Sequence, residues 1–139
     1  MKFIKIFSLT VVIFLSATYA LSGTSYLNGT FLSLKEAKSK WGSLEFKAAD
    51  FVKSNERQKG SMAVNLLEKK PYVGGLMSKV REEIGAPDSY FFSDTIYAYE
   101  ITPPEENREQ WQLVFIPDDK LEKVKEIKIH KKCCYKSAF

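Results

Sequence analysis

The chain has few of the side chains that do chemistry. It contains one histidine, His130, and two cysteines, the adjacent Cys133 and Cys134. No serine or cysteine sits in a nucleophile turn, so a histidine-dependent dyad has nothing to activate. No glycine-rich phosphate loop is present, and no histidines and cysteines occur at metal-ligand spacing. No apolar run reaches the ~20 residues that a membrane-crossing helix needs. The formal net charge of +4 is too weak to indicate nucleic acid or an anionic membrane as a partner. There is no internal repeat. These absences argue against enzymes, metal or cofactor proteins, nucleic-acid binders and membrane spans, and the expectation is a protein with no cofactor and no catalytic residues.

The N-terminus carries an address. Lys2 and Lys5 precede an apolar run over residues 6–15 that is broken only by Ser8 and Thr10. Small residues follow at Ser16, Ala17, Ala20 and Ser22. This is the order of a secretory signal peptide, with cleavage after Ala20 or Ser22, the alternative being an uncleaved N-terminal anchor. The expected organisation is a signal over residues 1–22 and one domain over residues 23–139, exported to the periplasm or secreted.

Hydrophobic residues make up 45% of the chain and aromatics 14%, which suits a packed globular domain rather than a disordered one. A mature chain of this length buries roughly two thirds of its unfolded surface and needs no disulfide staples. Charge is unevenly distributed. Residues 21–81 carry eleven Lys and Arg against five Asp and Glu. Residues 82–119 carry ten acids and only Arg108, and residues 120–139 carry seven Lys against Glu122 and Glu126. An acidic middle between basic ends places complementary charge together across a fold, or steers a charged partner.

The stretch over residues 73–88 is the most strongly punctuated. Gly74 and Gly75 open a short helix, Gly85 closes it in a left-handed cap and Pro87 forbids its continuation. Met77, Val80 and Ile84 form its inward stripe. Two helices precede it. Ser33 and Glu36 have the spacing of a capping box, with Leu34, Ala37 and Trp41 on one face and Gly42 at the end. Residues 44–52 read as a short helical turn or an extended cover strand. Residues 54–60 read as a polar loop, and residues 61–69 as a helix with Met62, Ala63, Leu66 and Leu67 as its stripe and Pro71 as its stop.

The remainder is β. A first strand is expected over residues 90–102, with Asp94 at a turn or bulge. Residues 103–107 form a polar loop. Residues 110–116 alternate, with Trp111, Leu113 and Phe115 on the core face. Residues 117–120 form a turn. The last strand covers residues 121–130, and its apolar phase slips between Val124 and Ile127, which indicates a bulge. Helices first and strands afterwards give a two-layer α+β domain, with short helices packed on a three-stranded antiparallel meander.

The candidate sites are few. His130, flanked by Lys128, Lys131 and Lys132, reads as a solvated strand-end histidine. Cys133 and Cys134 could pair with each other, pair between chains, bind a soft metal or remain free thiols, and that choice stays open. The acidic pairs Asp118–Asp119 and Glu105–Glu106 sit at turns, where carboxylates serve capping and solvation. Tyr90, Phe92, Tyr97 and Tyr99 cannot all face one core if their strand alternates. An outward aromatic patch is a protein-binding surface, unless the segment before Ser33 covers it.

A helix, then Gly74 and Val80 separated by five residues, then Ile84-Gly85-x-Pro87-Asp88, an aromatic strand with Tyr97 and Tyr99, an apolar strand at residues 113–116, the Asp118-Asp119 turn and a closing strand with Val124 form an ordered set. Over about residues 60–129 this order resembles the SmpA/OmlA domain family, which includes the BamE outer-membrane assembly lipoproteins. It is also similar to exported proteins in which Trp41, Phe46, Arg57 and Met62 precede the same unit, and to the fold of β-lactamase inhibitor proteins. The chain departs from the family in three ways. It lacks the lipidated N-terminal cysteine, it has Leu76 where Ser or Thr is usual, and it has Cys133 and Cys134. The resemblance implies a non-enzymatic exported protein-binding module acting in cell-envelope or outer-membrane assembly or maintenance. The alternative is an inhibitor or immunity-type protein that binds one enzyme.

Overall fold

The computed structural model describes residues 29–103 and 108–132. The expected signal peptide, Glu105, Glu106, Cys133 and Cys134 lie outside them. The described chain runs β1 (Thr30–Phe31), α1 (Leu34–Trp41), α2 (Ala48–Phe51), α3 (Glu56–Lys69), α4 (Met77–Ile84), β2 (Tyr97–Glu100), β3 (Gln110–Pro117) and β4 (Val124–Lys132). The fold is α+β. The sheet has four strands, not three, in the order β1-β4-β3-β2 with every pairing antiparallel. The extra strand comes from the polar leader: Thr30 and Phe31 pair with Lys131 and His130, at the end of β4 that runs beyond the expected stop.

Helix starts follow side-chain capping. Ser33 and Glu36 make the expected capping box on α1. A second box, which the sequence reading missed, extends the next helix backwards. Asn55 Oδ1 accepts from the Gln58 amide, and the Gln58 side chain reciprocates, so α3 begins at Glu56 and the supposed loop at residues 54–60 is largely helical. Gly60 therefore lies inside a helix. Its missing side chain has a packing reason, because a Cβ there would sit 2.5 Å from the Trp41 ring. Residues 44–52 resolve into the single turn α2, which buries Phe51.

The α4 helix runs as expected, with Met77, Val80 and Ile84 buried. Its closing residue differs in detail. Gly85 has φ 99° and ψ −174°, which is not the left-handed helical cap but a region open essentially to glycine alone. Gly74 also has positive φ, at 83°. Between the two, the segment leading into α4 docks on the start of β4. Gly74 N donates to Val124 O, Val124 N to Gly75 O, and Met77 N to Glu122 O.

The β-strands are shorter and better defined than expected. Only residues 97–100 of the anticipated first strand pair with β3, and residues 91–96 form bends and a turn that includes Asp94. Trp111, Leu113 and Phe115 face the helices, as their alternation requires. The register between β3 and β4 slips between Ile116 and Pro117, opposite Glu126 and Val124. This places the bulge within the interval where the apolar phase breaks. Asp88 finishes the sheet edge, its Oδ1 accepting from Glu100 N at 2.7 Å, while Ser89 N donates to Ala98 O. Pro87-Asp88 therefore ends a helix and blunts an edge strand in one step.

Candidate functional site

The sheet has two faces, and they are covered differently. Tyr99, Ile101, Trp111, Leu113, Phe115, Val124 and Ile129 pack under the helices with Phe51, Met62, Leu66, Met77 and Val80. The opposite face holds a smaller cluster of Phe91, Ile96, Ala98, Val114 and Ile116, with Phe31 of the leader packed against it. Among the described residues no helix covers this second face. Its cover is the irregular segment of residues 89–96 together with β1.

That segment divides the four aromatics proposed as a binding surface. Tyr90 is 61% exposed and Phe92 50% exposed. Tyr97 pairs with Phe115, lies on the helix side and is half-buried. Tyr99 leaves the set, because it is buried on the helix side, where its hydroxyl donates to Gly85 O at 2.8 Å. Burial pushes its phenol well above the ordinary value, which keeps that donor protonated. The two exposed rings are held in place. Phe92 has φ 60°, in the left-handed region that bulky residues rarely occupy. Tyr90 Oη donates to Phe92 O at 2.6 Å, and the Phe92 ring meets Phe91 edge-on at 4.9 Å. The chain thus keeps a residue at positive φ whose side chain is half in solvent. Beside the ridge lies a cleft of about 230 Å³ whose lining includes Arg81, Pro87, Tyr90, Asp94 and Tyr97.

Beneath the ridge sits the polar centre of the second face. Gln112 is 1% exposed. Its Oε1 accepts from Ser89 Oγ at 2.5 Å, and its Nε2 lies 3.3 Å from Tyr90 O and 3.0 Å from His130 Nδ1. The alternation of β3 puts Gln112 on the face away from Trp111 and Leu113. Strand alternation alone cannot show that a loop will bury the outer face. His130 requires a correction too. It is half-buried rather than solvated, because β1 and the 89–92 segment close over it. Phe91 packs edge-on against its ring at 4.5 Å, and Phe31 lies tilted against it at 5.3 Å. Burial first, and then the Lys132 charge, hold its pKa below the usual histidine value.

The other candidates have structural explanations. Asp118 Oδ1 accepts from Lys123 N and Glu122 N, and these bonds hold its carboxyl below the usual carboxylate range. It shapes a turn. The segregated charges meet across the fold, Lys132 pairing with Glu100 and both Lys40 and Lys131 with Glu109, while Arg108, the lone base of the acidic stretch, pairs with Glu56. Lys40 also lies over both Trp41 and Trp111, which meet edge-on. A second cleft, of about 360 Å³, lies between α2 and α3 and mixes Lys47 and Lys53 with Glu45 and Asp50. Among the described residues no three His, Cys, Asp or Glu side chains group to hold a metal. No helix among them is long and apolar enough to cross a membrane.

No family model matches the chain, and neither a curated protein nor a solved structure is similar to it at a significant level.

Proposed function

We propose that the protein is a non-enzymatic, exported protein-binding module that meets its partner through the ridge of Tyr90 and Phe92. The observation that carries this reading is the pair of exposed rings fixed on the sheet: Tyr90 donates to the Phe92 carbonyl, and Phe92 is held half-exposed at φ 60°, a backbone conformation that Leu121 shares in the turn before β4. Strain at a bulky residue costs about 1–3 kcal/mol, and such residues cluster at functional sites. Exposed aromatics anchored on a rigid sheet contribute contact area with little ordering cost. The adjoining cleft is too small for most small-molecule ligands, which take roughly 300–1,000 Å³, but it suits one anchoring side chain of a partner. His130 supports the non-enzymatic reading, since Gln112 occupies its Nδ1 and phenylalanines pack against its ring.

The signal-like N-terminus supports a periplasmic or secreted location. The ordered set from Gly74 to Val124, which resembles the SmpA/OmlA family, supports a role in envelope assembly or maintenance. The test is site-specific photocrosslinking from position 92 in the native host, with intact-mass analysis of the chain. The expected result is a chain shortened by about its first 20–22 residues, the length of a signal, crosslinked to envelope assembly proteins and losing that crosslink in Tyr90→Ala. A single soluble enzyme as the crosslinked partner would favour an inhibitor or immunity role instead. An unprocessed chain, or a crosslink indifferent to Tyr90, would overturn the proposal.

A further inference from the structure

We infer that His130 is an acid-sensitive latch on the aromatic ridge: neutral, it holds residues 89–92 on the sheet, and protonated, it releases them. This rests on the reading of Tyr90 and Phe92 as a binding surface, and it supplies a regulation for that surface.

The argument starts from the Gln112 carboxamide. The Tyr90 carbonyl can only accept, so the amide nitrogen must face it and the amide oxygen must face the Ser89 hydroxyl. The same nitrogen then presents its second hydrogen to His130 Nδ1, 3.0 Å away. Nδ1 must therefore be a bare acceptor, and the neutral ring carries its hydrogen on Nε2. That edge faces Gly29, where an added Cβ would sit 2.6 Å from Nε2. An imidazolium donates from both nitrogens. Protonation at Nδ1 thus sets two donors against each other at hydrogen-bonding distance.

Neither relief leaves the loop untouched. If the amide turns over, Ser89 can rotate its hydroxyl and accept, but the amide oxygen then opposes the Tyr90 carbonyl oxygen and the anchor is lost. If the ring swings out instead, it abandons Phe91 and Phe31, and Phe91 is the loop's own plug in the second face.

Among the described residues no nearby charge rescues the imidazolium. From β4 itself come Lys132, which disfavours the added charge, and Lys128, which lies over Phe31 and pairs with Glu126. From β2 comes Glu100, already paired with Lys132. β1 contributes Thr30 and Phe31, β3 contributes Gln110 and Gln112, and the loop contributes Ser89, Tyr90 and Phe91, none of them an acid. The sign is consistent with the burial of the ring. A histidine whose folded pKa lies below 6.5 contributes stability that is intact above pH 6.5. That contribution falls away as pH drops from there towards the lowered folded value.

An NMR titration of the purified protein, with no partner added, tests the latch. At neutral pH the ring nitrogens should report the Nε2–H tautomer. On acidification the Gln112 side-chain amide and the backbone amides of Ser89, Phe91 and Phe92 should shift with the same midpoint as the ring. The amides of Leu66 and Val80, buried in the helices on the other side of the sheet, should not. His130→Phe and His130→Gln should each abolish the loop transition. A ring that titrates while the loop amides stay still would overturn the latch, as would a loop transition surviving both substitutions. Should either variant fail to fold, the comparison of midpoints in the parent protein decides alone. A failed latch leaves the Tyr90-dependent crosslink standing, and a failed crosslink leaves the titration standing.

Discussion

The two faces of this sheet solve the same problem in different ways. On the helix side, β3 contributes Trp111, Leu113 and Phe115 to a cluster that α1, α3 and α4 close. On the other side, the same strand contributes Val114 and Ile116 but puts Gln112 at the centre, and the cover is a loop. An apolar interface is held by area and shape, which are insensitive to pH and hard to open locally. A cover pinned by one carboxamide depends on a few directional bonds. Stability therefore concentrates on the helix face and adaptability on the loop face. The low-stability face is also the one that carries the exposed aromatics, as expected where binding segments are drawn from the least stable parts of a fold.

The sharpest way to break this contrast is to empty the helix face. Phe115 is fully buried and meets both Tyr72 and Tyr99 edge-on. Phe115→Ala should cost about 3–5 kcal/mol in urea unfolding, a large part of a small domain's stability. A loss below about 1 kcal/mol would mean that the face can collapse around the gap and is not the tight layer described here.

The matching change on the loop face is Gln112→Leu. It removes the pin while keeping apolar bulk, and it leaves the Tyr90 carbonyl without that partner. The expected loss is about 1–3 kcal/mol. Its effect should be local, with faster amide exchange at Ser89 and Ile96 and little change at Leu113. If exchange rose equally on both faces, the two covers would be one cooperative unit and the contrast would fail.

Much of the helix face was legible in the sequence, because apolar periodicity and caps are local signals. Ala37 and Trp41, the Met77–Val80–Ile84 stripe, the Trp111–Leu113–Phe115 alternation and the slip after Val124 are all found where those signals place them. The second face was not. Its cover pairs distant segments, Phe31 with His130 and Ser89 with Gln112, and neither pairing leaves a trace in local spacing. The misread segments share a cause. Residues 54–60 read as a loop because they are polar and the Trp41 ring that Gly60 makes room for is remote in sequence, and residues 90–96 read as a strand because their aromatic composition outweighs the turn at Asp94. Tyr99 entered the candidate surface because its strand was assumed to start seven residues too early.

The smallest expected change in stability separates fold from function at the ridge. Asparagine occupies positive φ far more readily than phenylalanine does, so Phe92→Asn relieves backbone strain at the price of one edge contact with Phe91. The two effects are of similar size, and the net shift should stay within about 1 kcal/mol, with a gain as the more informative sign. Thermal unfolding measures this directly, and partner capture on the same variant should fall sharply. A variant that is as stable as the parent or more so, yet no longer captures its partner, is the pattern of a residue kept for binding at a cost to the fold. A loss well beyond 1 kcal/mol would instead make the Phe92 ring a lid over Phe91. The exposed half of that ring would then be incidental, and the weight of the binding surface would pass to Tyr90 and the cleft beside it.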